Sequence, residues 1–481
     1  MTLTPLRASG TEHAGRGTPP AVRGRAAADP DRHAGRAARH RVRGHARLPR
    51  LVACGVMTAI MADNAATALA VPLLRADRLT AGMALGEVGW VATLNAVALA
   101  ALVTWGGHLA DQVGRRGVLA VGAALWGVGA AGVICAPTWP LLLAARLLQG
   151  VGAALMVPAG LALMLGELPA GRRGVALAWW SASSGIGIVL VQAAGGTLAQ
   201  ALGWRGLYLP SAVLAIAVLV AMPALPTSRA ADRRAPDLAG AVLLAAALAD
   251  AVLALSRGSA WGWGSARTLG CAAAAVVLAA VVLALSRRHP AGALNLRLWR
   301  RPLLVWGGLA SALYGAASFI VLAIGPLYLQ HLGIAAARAG AWMVPISLAL
   351  IVCSPLAALA ARRLGLNTVL CSGALILGAG CTLLLVDHHL STWTLATALL
   401  LGAGFGTLSA ASASVATHNV PADEWGAAAD AVTTALMLGG ALGVAAATAL
   451  LEQPLLPGPL PGNASVLAGC LLLAALLPWA R

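Results

Sequence analysis

Two opposite charges stand deep within the apolar runs of the chain's N-terminal half. Asp63 lies near the middle of the run Leu51–Leu74, in the stretch AIMADNAATALAV, and Arg146 lies within RLLQGVGAALMVPA. An ionised side chain at the centre of a bilayer costs roughly 2.5–3.5 kcal/mol even on the lenient insertion scale, so it faces a cavity or a partner and marks an ion or substrate path. Burial and a neighbouring arginine act on the proton affinity of a carboxylate in opposite directions. A movement that changes water access or the pairing therefore makes Asp63 take up or release a proton. The chemistry these residues predict is reversible protonation of Asp63, with Arg146 as its partner. The plainer alternative is a fixed ion pair without proton turnover, which a charge swap would preserve.

The other candidates are fewer and weaker. Asp250 and Asp430 also fall inside apolar runs. Each reads as a helper site for a cationic substrate or as a locally paired carboxylate. Gln149, Gln192 and Asp430 are the candidate lining of a substrate cavity. His388 and His389 are adjacent in a short connection, which is not metal-ligand spacing on a helix, and no metal site is expected. Enzyme chemistry is poorly supplied. All 33 basic residues are arginine, so there is no lysine for a Walker A loop, a Ser–Lys dyad or a Schiff base. Neither HExxH nor CxxC occurs, and the seven cysteines sit in or beside apolar runs as small buried thiols. No catalytic residue and no cofactor is expected.

The elements that carry these residues follow from composition. The chain has 481 residues, 59% hydrophobic and 10% charged, against about 25% charged in a soluble domain. Apolar runs of the length a helix needs to cross a bilayer, about 20 residues, recur from residue 50 onward. The chain reads as an all-α polytopic membrane protein with fourteen spans: 51–73, 86–106, 117–136, 139–165, 174–197, 204–224, 238–256, 268–286, 303–328, 339–361, 366–386, 392–415, 427–451 and 464–480. The runs are too long and too uniform for barrel strands. The net charge of +17 gathers in the first 50 residues, with eleven arginines, and in short connections. That distribution speaks for a membrane surface and against nucleic acid.

Orientation follows from the arginines of the short connections. With the N-terminus inside, the inner connections hold Arg115, Arg116, Arg172, Arg173, Arg229, Arg233, Arg234, Arg287, Arg288, Arg297, Arg300, Arg301, Arg362 and Arg363. The outer ones hold only Arg75, Arg78, Arg205, Arg257, Arg267 and Arg338. Both termini are expected in the cytoplasm. Four segments are expected: an Arg-rich disordered tail (1–47), a first six-helix bundle (48–224), a linker with two inserted helices (225–301) and a second six-helix bundle (302–481). The halves are linked by an internal repeat, because GVLAVGAALWGVGAAG (117–132) aligns with TVLCSGALILGAGCTL (368–383) at an offset of 251. Repeated helical halves with a site between them are the architecture of secondary transporters.

Several stretches resemble one family. GGHLADQVGRRGVL is similar to the signature loop of the major facilitator superfamily, a Gly-x-Leu-x-Asp-x-x-Gly-Arg-Arg pattern, at Gly107, Leu109, Asp111, Gly114, Arg115 and Arg116. RLLQGVGAALMVPA resembles a second motif of that family, at Arg146, Gln149, Gly150, Gly152, Ala153, Ala154 and Pro158. The helix around GIVLVQAAGG resembles the antiporter motif of drug exporters at Gly187, Gly195 and Gly196, with Val191 and Gln192 in place of its central Gly-Pro. Asp63 and Pro72 keep the spacing of an Asp-x-Thr pattern in fourteen-helix drug:proton antiporters, with Ala65 and Ala68 in place of Thr and Asn. Residues 325–348 and 438–444 resemble later helices of that family, so the likeness covers residues 51 to 480.

The resemblance implies a major facilitator fold of two six-helix bundles plus two inserted helices. It implies a proton-coupled exporter of drugs or antibiotics, monomeric, in the cytoplasmic membrane. The partners would be protons, lipid and a small hydrophobic or cationic substrate, and the energy source the proton gradient. The signature loop would act as a latch on the inner side, and Arg146 would take part in proton coupling. The missing Gly-Pro keeps a second expectation open, an uptake carrier or other permease of the same superfamily.

Overall fold

The computed structural model describes residues 47–83, 85–166, 168, 170–228, 237–288, 296, 298–331, 336–386, 393–417 and 425–451. Among them the regular structure is entirely helical, as hydrocarbon demands of a chain that must satisfy every backbone polar group internally. Thirteen long helices are named here in chain order: α1 (Arg47–Arg75), α2 (Trp90–Val113), α3 (Arg115–Cys135), α4 (Trp139–Gly166), α5 (Ala170–Gly206), α6 (Leu209–Ala221), α7 (Leu238–Trp261), α8 (Ala266–Arg288), α9 (Pro302–His331), α10 (Ala336–Leu364), α11 (Leu366–Val386), α12 (Trp393–Thr417) and α13 (Trp425–Leu451). Eleven of the described helices contain a stretch long and apolar enough to cross a membrane, and two shorter apolar stretches, Leu209–Ala224 and Ala431–Ala446, fall on α6 and α13. The tail 1–46 and the fourteenth predicted span, 464–480, lie outside the described residues, as do Arg229, Arg233, Arg234, Arg297, His388 and His389.

One boundary differs from expectation. The apolar pattern ends the fifth span at residue 197, yet α5 continues through TLAQAL, a stretch of good helix formers, until Gly203. There the backbone turns to φ 67°, a conformation glycine adopts without penalty. α6 starts after this turn, so Trp204, Arg205 and Tyr208 sit where two helices meet.

The packing repeats. α1 packs on α5, α2 on α4 and α3 on α4; eight helices later α9 packs on α13, α10 on α12 and α11 on α12. The two seams between these groups, α5 against α10 and α2 against α13, exchange under the same shift. α3 and α11 are both 21 residues long and start 251 residues apart, each preceded by a glycine at positive φ, Gly114 (128°) and Gly365 (86°). This is the offset read from the sequence. The inserted pair packs as a hairpin, with α7 lying against both α2 and α13. α1 is central and α8 peripheral: 83% of the apolar window of α1 is buried, against 17% for α8.

Candidate functional site

Four helices converge on Asp63. It sits mid-way along α1 among Ala59, Ile60, Ala62, Ala66 and Thr67, all buried. Arg146 lies near the first turns of α4, and glycines let the helices come close. Gly150 has no room for a Cβ beside Asn95 and Ala98 of α2, and Gly187 of α5 has none beside Thr58 and Ala62 of α1. Among the described residues Asp63 and Arg146 are the two buried charges, each 0% exposed.

They form one ion pair. Arg146 Nη1 donates to Asp63 Oδ2 at 2.6 Å and to Gln149 Oε1 at 2.7 Å, and Nε donates to the Val91 carbonyl at 2.7 Å. The guanidinium also lies 5.5 Å from the centre of the Tyr208 ring. Asp63 accepts further from Gln149 Nε2 at 3.1 Å, Asn95 Nδ2 at 3.4 Å and Ser211 Oγ at 3.3 Å. Ser211 has one hydroxyl hydrogen, and its closer acceptor is the Tyr208 carbonyl at 2.8 Å. Tyr208 in turn donates to Thr67 Oγ1 at 3.2 Å, and Thr67 donates to the Asp63 carbonyl at 2.8 Å.

The arrangement has a chemical asymmetry. Desolvating two charges is repaid only when geometry is good and the remaining polar atoms are satisfied, and Asp63 has that surrounding. Arg146 has, besides Asp63, a carbonyl, an amide oxygen and an aromatic face as partners. Two atoms beside the pair, Arg146 Nη2 and Asn95 Oδ1, are buried without a hydrogen-bond partner among the described residues. One unused donor and one unused acceptor at a carboxylate suit a site whose hydrogen bonds rearrange when a proton arrives.

Sequence reasoning placed Asp63, Arg146 and Gln149, and the structure brings all three together. It missed Val91, Asn95, Thr67, Tyr208 and Ser211. Two signals were available: Asn95 is the lone amide in the apolar run of α2, and the chain has only three tyrosines. Gln192 sits elsewhere, on the α5–α10 seam, where its Oε1 accepts from Ser347 Oγ at 3.0 Å. Asp430 falls on α13, with its side chain outside the described residues. Asp250 is partly exposed on α7. The Trp179–Trp180 pair divides, Trp179 exposed and Trp180 buried.

The signature loop is a tight corner. Asp111 lies in the last turn of α2 and not inside α3, and it accepts from Arg115 Nε at 3.0 Å and Nη2 at 2.9 Å across Gly114. Arg115 also reaches the Ala162 carbonyl at 3.4 Å, and Arg116 the Leu225 carbonyl at 3.2 Å. These bonds all run within α2–α6 and the segment just after it. Gly107 is buried in α2. In the antiporter-motif helix Gly195 abuts Leu69 and Leu207, while Gly196 is part-exposed.

A model of the Major Facilitator Superfamily matches residues 52–444. The chain belongs to the major facilitator superfamily. It is a multi-pass membrane transporter and not an enzyme, and transporters of this superfamily work on ion gradients without a cofactor. The tetracenomycin C resistance and export protein of Streptomyces glaucescens is 30% identical over 82% of this chain and 73% of its own length. The cephamycin export protein of Amycolatopsis lactamdurans is 31% identical over 82% of this chain and 83% of its own length. The puromycin resistance protein of Streptomyces alboniger is 32% identical over 80% and 78%. Among solved structures, a partially occluded, inward-open xylose transporter from E. coli superposes with a TM-score of 0.65 at 15% identity, covering 90% of this chain and 99% of the other, a likeness of fold.

Proposed function

We propose that this major facilitator is a proton-coupled exporter of drugs or antibiotics, with Asp63 as its proton site and Arg146 as the partner that controls it. The observation that carries the reading is the fully buried 2.6 Å ion pair between them, in a helix bundle that buries no other charge among its described residues. The names of the relatives supply the cargo class. Alternating access has the two groups of helices, 48–224 and 302–481, rock about the α5–α10 and α2–α13 seams. Protonation of Asp63 goes with loosening of its contact to Arg146, and deprotonation with its return. Each proton entering gains roughly 2.3 kcal/mol per 100 mV of membrane potential, which drives export of an uncharged substrate; a cationic one exchanged one-for-one draws on the pH difference instead. The protein acts as a monomer in the cytoplasmic membrane, with both termini inside, on small hydrophobic or cationic molecules.

A strain expressing the protein should tolerate a panel of hydrophobic and cationic antibiotics better than its parent, and Asp63→Asn should remove that tolerance at equal protein level. Undiminished tolerance with Asp63→Asn would sink the proton-site assignment. A second reading, an uptake carrier, draws on Val191–Gln192 standing where exporters have Gly-Pro. Increased susceptibility of the expressing strain would favour it.

A further inference from the structure

The join of α5 and α6 is held by a cluster that lies outside the charge site; its Trp204 and Arg205 follow Gly203 in a stretch that resembles the exporter family, and Asp77 comes from another connection. Asp77, two residues past α1, accepts from the Leu79 backbone N–H at 2.9 Å and from the Trp204 indole N–H at 2.8 Å. Arg205 lies 4.3 Å over the Trp204 ring, 3.9 Å from the Asp77 carboxylate, and donates to the Ala136 carbonyl at the end of α3, 3.0 Å away. Trp204 is 4% exposed. The cluster therefore ties three connections, those after α1, α3 and α5, to one point.

That point sets where α6 begins. Four residues after Trp204 comes Tyr208, whose ring meets the Trp204 ring edge-on at 6.5 Å between centroids. Tyr208 is the residue whose ring faces Arg146 and whose hydroxyl binds Thr67, and Ser211 comes within one further turn. Contact is thus continuous from Asp77 through Trp204 and Tyr208 to the Asp63–Arg146 pair. The turn at Gly203 would leave the start of α6 free to shift, and the cluster fixes it.

We propose that Asp77, Trp204 and Arg205 form a clasp that positions Tyr208 and Ser211 against the buried charge pair, making them positioning residues for proton exchange at Asp63. The proposal rests on the proton-site reading for its functional consequence and on geometry alone for the positioning. The charged and titratable groups around Asp77 are Arg205 and Arg78; those against Asp63 are Arg146 and Tyr208, with the uncharged Asn95 and Gln149 completing the shell.

Two measurements on the full-length protein test it. First, a Ser211→Cys reporter is placed in a protein whose native cysteines are replaced by serine, and its labelling by N-ethylmaleimide is timed. Ser211 is 1% exposed, so the parent should label slowly. Asp77→Ala and the milder Trp204→Phe, which keeps an aromatic ring while removing the N–H donor and part of the ring volume, should speed labelling at least tenfold. Asp77→Asn, whose amide oxygen still accepts from Trp204, should fall between. Restoring buried Cys381 alone, on α11, should give a slow rate that none of these changes alters, which separates local release from unfolding. Second, ethidium efflux in everted vesicles should show a displaced pH profile in Trp204→Phe, with kcat lowered and KM within twofold. Unchanged labelling at Ser211→Cys in both Asp77→Ala and Trp204→Phe overturns the clasp. Proton-driven efflux that survives Asp63→Asn overturns the underlying reading instead, and leaves the labelling result to decide the positioning.

Discussion

At Gly150 and at Gly402 the same join is made twice. Gly150 of α4 sits against Asn95 and Ala98 of α2; Gly402 of α12 sits against Ile346 and Ala349 of α10. Each contact residue is the other shifted by 251, and each glycine by 252. In the same way Gly187 meets Thr58 of α1 while Gly439 meets Ala312 of α9. Carried through these matched contacts, Asp63, Asn95, Arg146 and Gln149 correspond to Ala317, Ile346, Ala398 and Leu401. The backbone scaffold is common to both halves, and a charge site in one is hydrocarbon in the other. Ala317, Ala398 and Leu401 are buried, as their counterparts are. The same scaffold is thus built in one half with an ion pair and in the other without one, and on the proposed reading the pair serves transport.

The largest effect expected from this contrast is at Arg146. Arg146→Ala leaves the Asp63 carboxylate buried and uncompensated, which costs about 3–5 kcal/mol, whereas Ala398→Val at the matched site should cost under about 1–3 kcal/mol of overpacking. Size-exclusion profiles of heated membrane extracts should show Arg146→Ala melting far earlier. Replacing both partners, Asp63→Leu with Arg146→Leu, should restore thermal stability near the parent's while transport stays lost, since a buried pair exchanged for hydrocarbon is often neutral. A scaffold test comes next. Gly150→Val and Gly402→Val each press a side chain onto a neighbouring helix backbone and should lower stability by similar amounts, at least the about 1–3 kcal/mol of ordinary overpacking; a large inequality would break the claimed equivalence of the two joins.

Smaller effects belong to the surface. Asp111→Asn removes a part-exposed i,i+4 pair with Arg115 and should cost about 0.2–1 kcal/mol, less in high salt. Asp77 gives a pH test. The Leu79 backbone N–H, and then the Trp204 indole and Arg205, hold its carboxyl below the usual carboxylate range against the opposing pull of burial. A depressed carboxyl stabilises the fold above its unfolded value of about 3.9 and loses that contribution as pH falls through the lower folded value. Trp204 fluorescence, isolated by comparison with Trp204→Phe, should therefore be constant from neutral pH down to about 4 and change below it.

Much of this was legible in the chain. Thirteen of the fourteen predicted runs coincide with described helices, because hydrocarbon leaves a spanning backbone few choices. The repeat was visible because α3 and α11 keep small residues at matched places, and their packing on α4 and α12 enforces them. Asp63, Arg146 and Gln149 were legible because a polar group is expensive in an apolar run. Tyr208 and Ser211 were not, since they lie where a run ends and polar residues are ordinary. Their importance arises from the turn at Gly203, which no periodicity announces. Gln192 reads as a cavity residue in one dimension, and in three it meets Ser347 where the two helix groups face each other, a contact no single run could announce.

The central claim is that Asp63 exchanges a proton as substrate binds. Purified protein in lightly buffered detergent solution, given ethidium or another compound from the resistance panel, should release protons that a pH-sensitive dye records. Asp63→Asn should bind the same compound and release none. Proton release by Asp63→Asn equal to that of the parent would contradict the account.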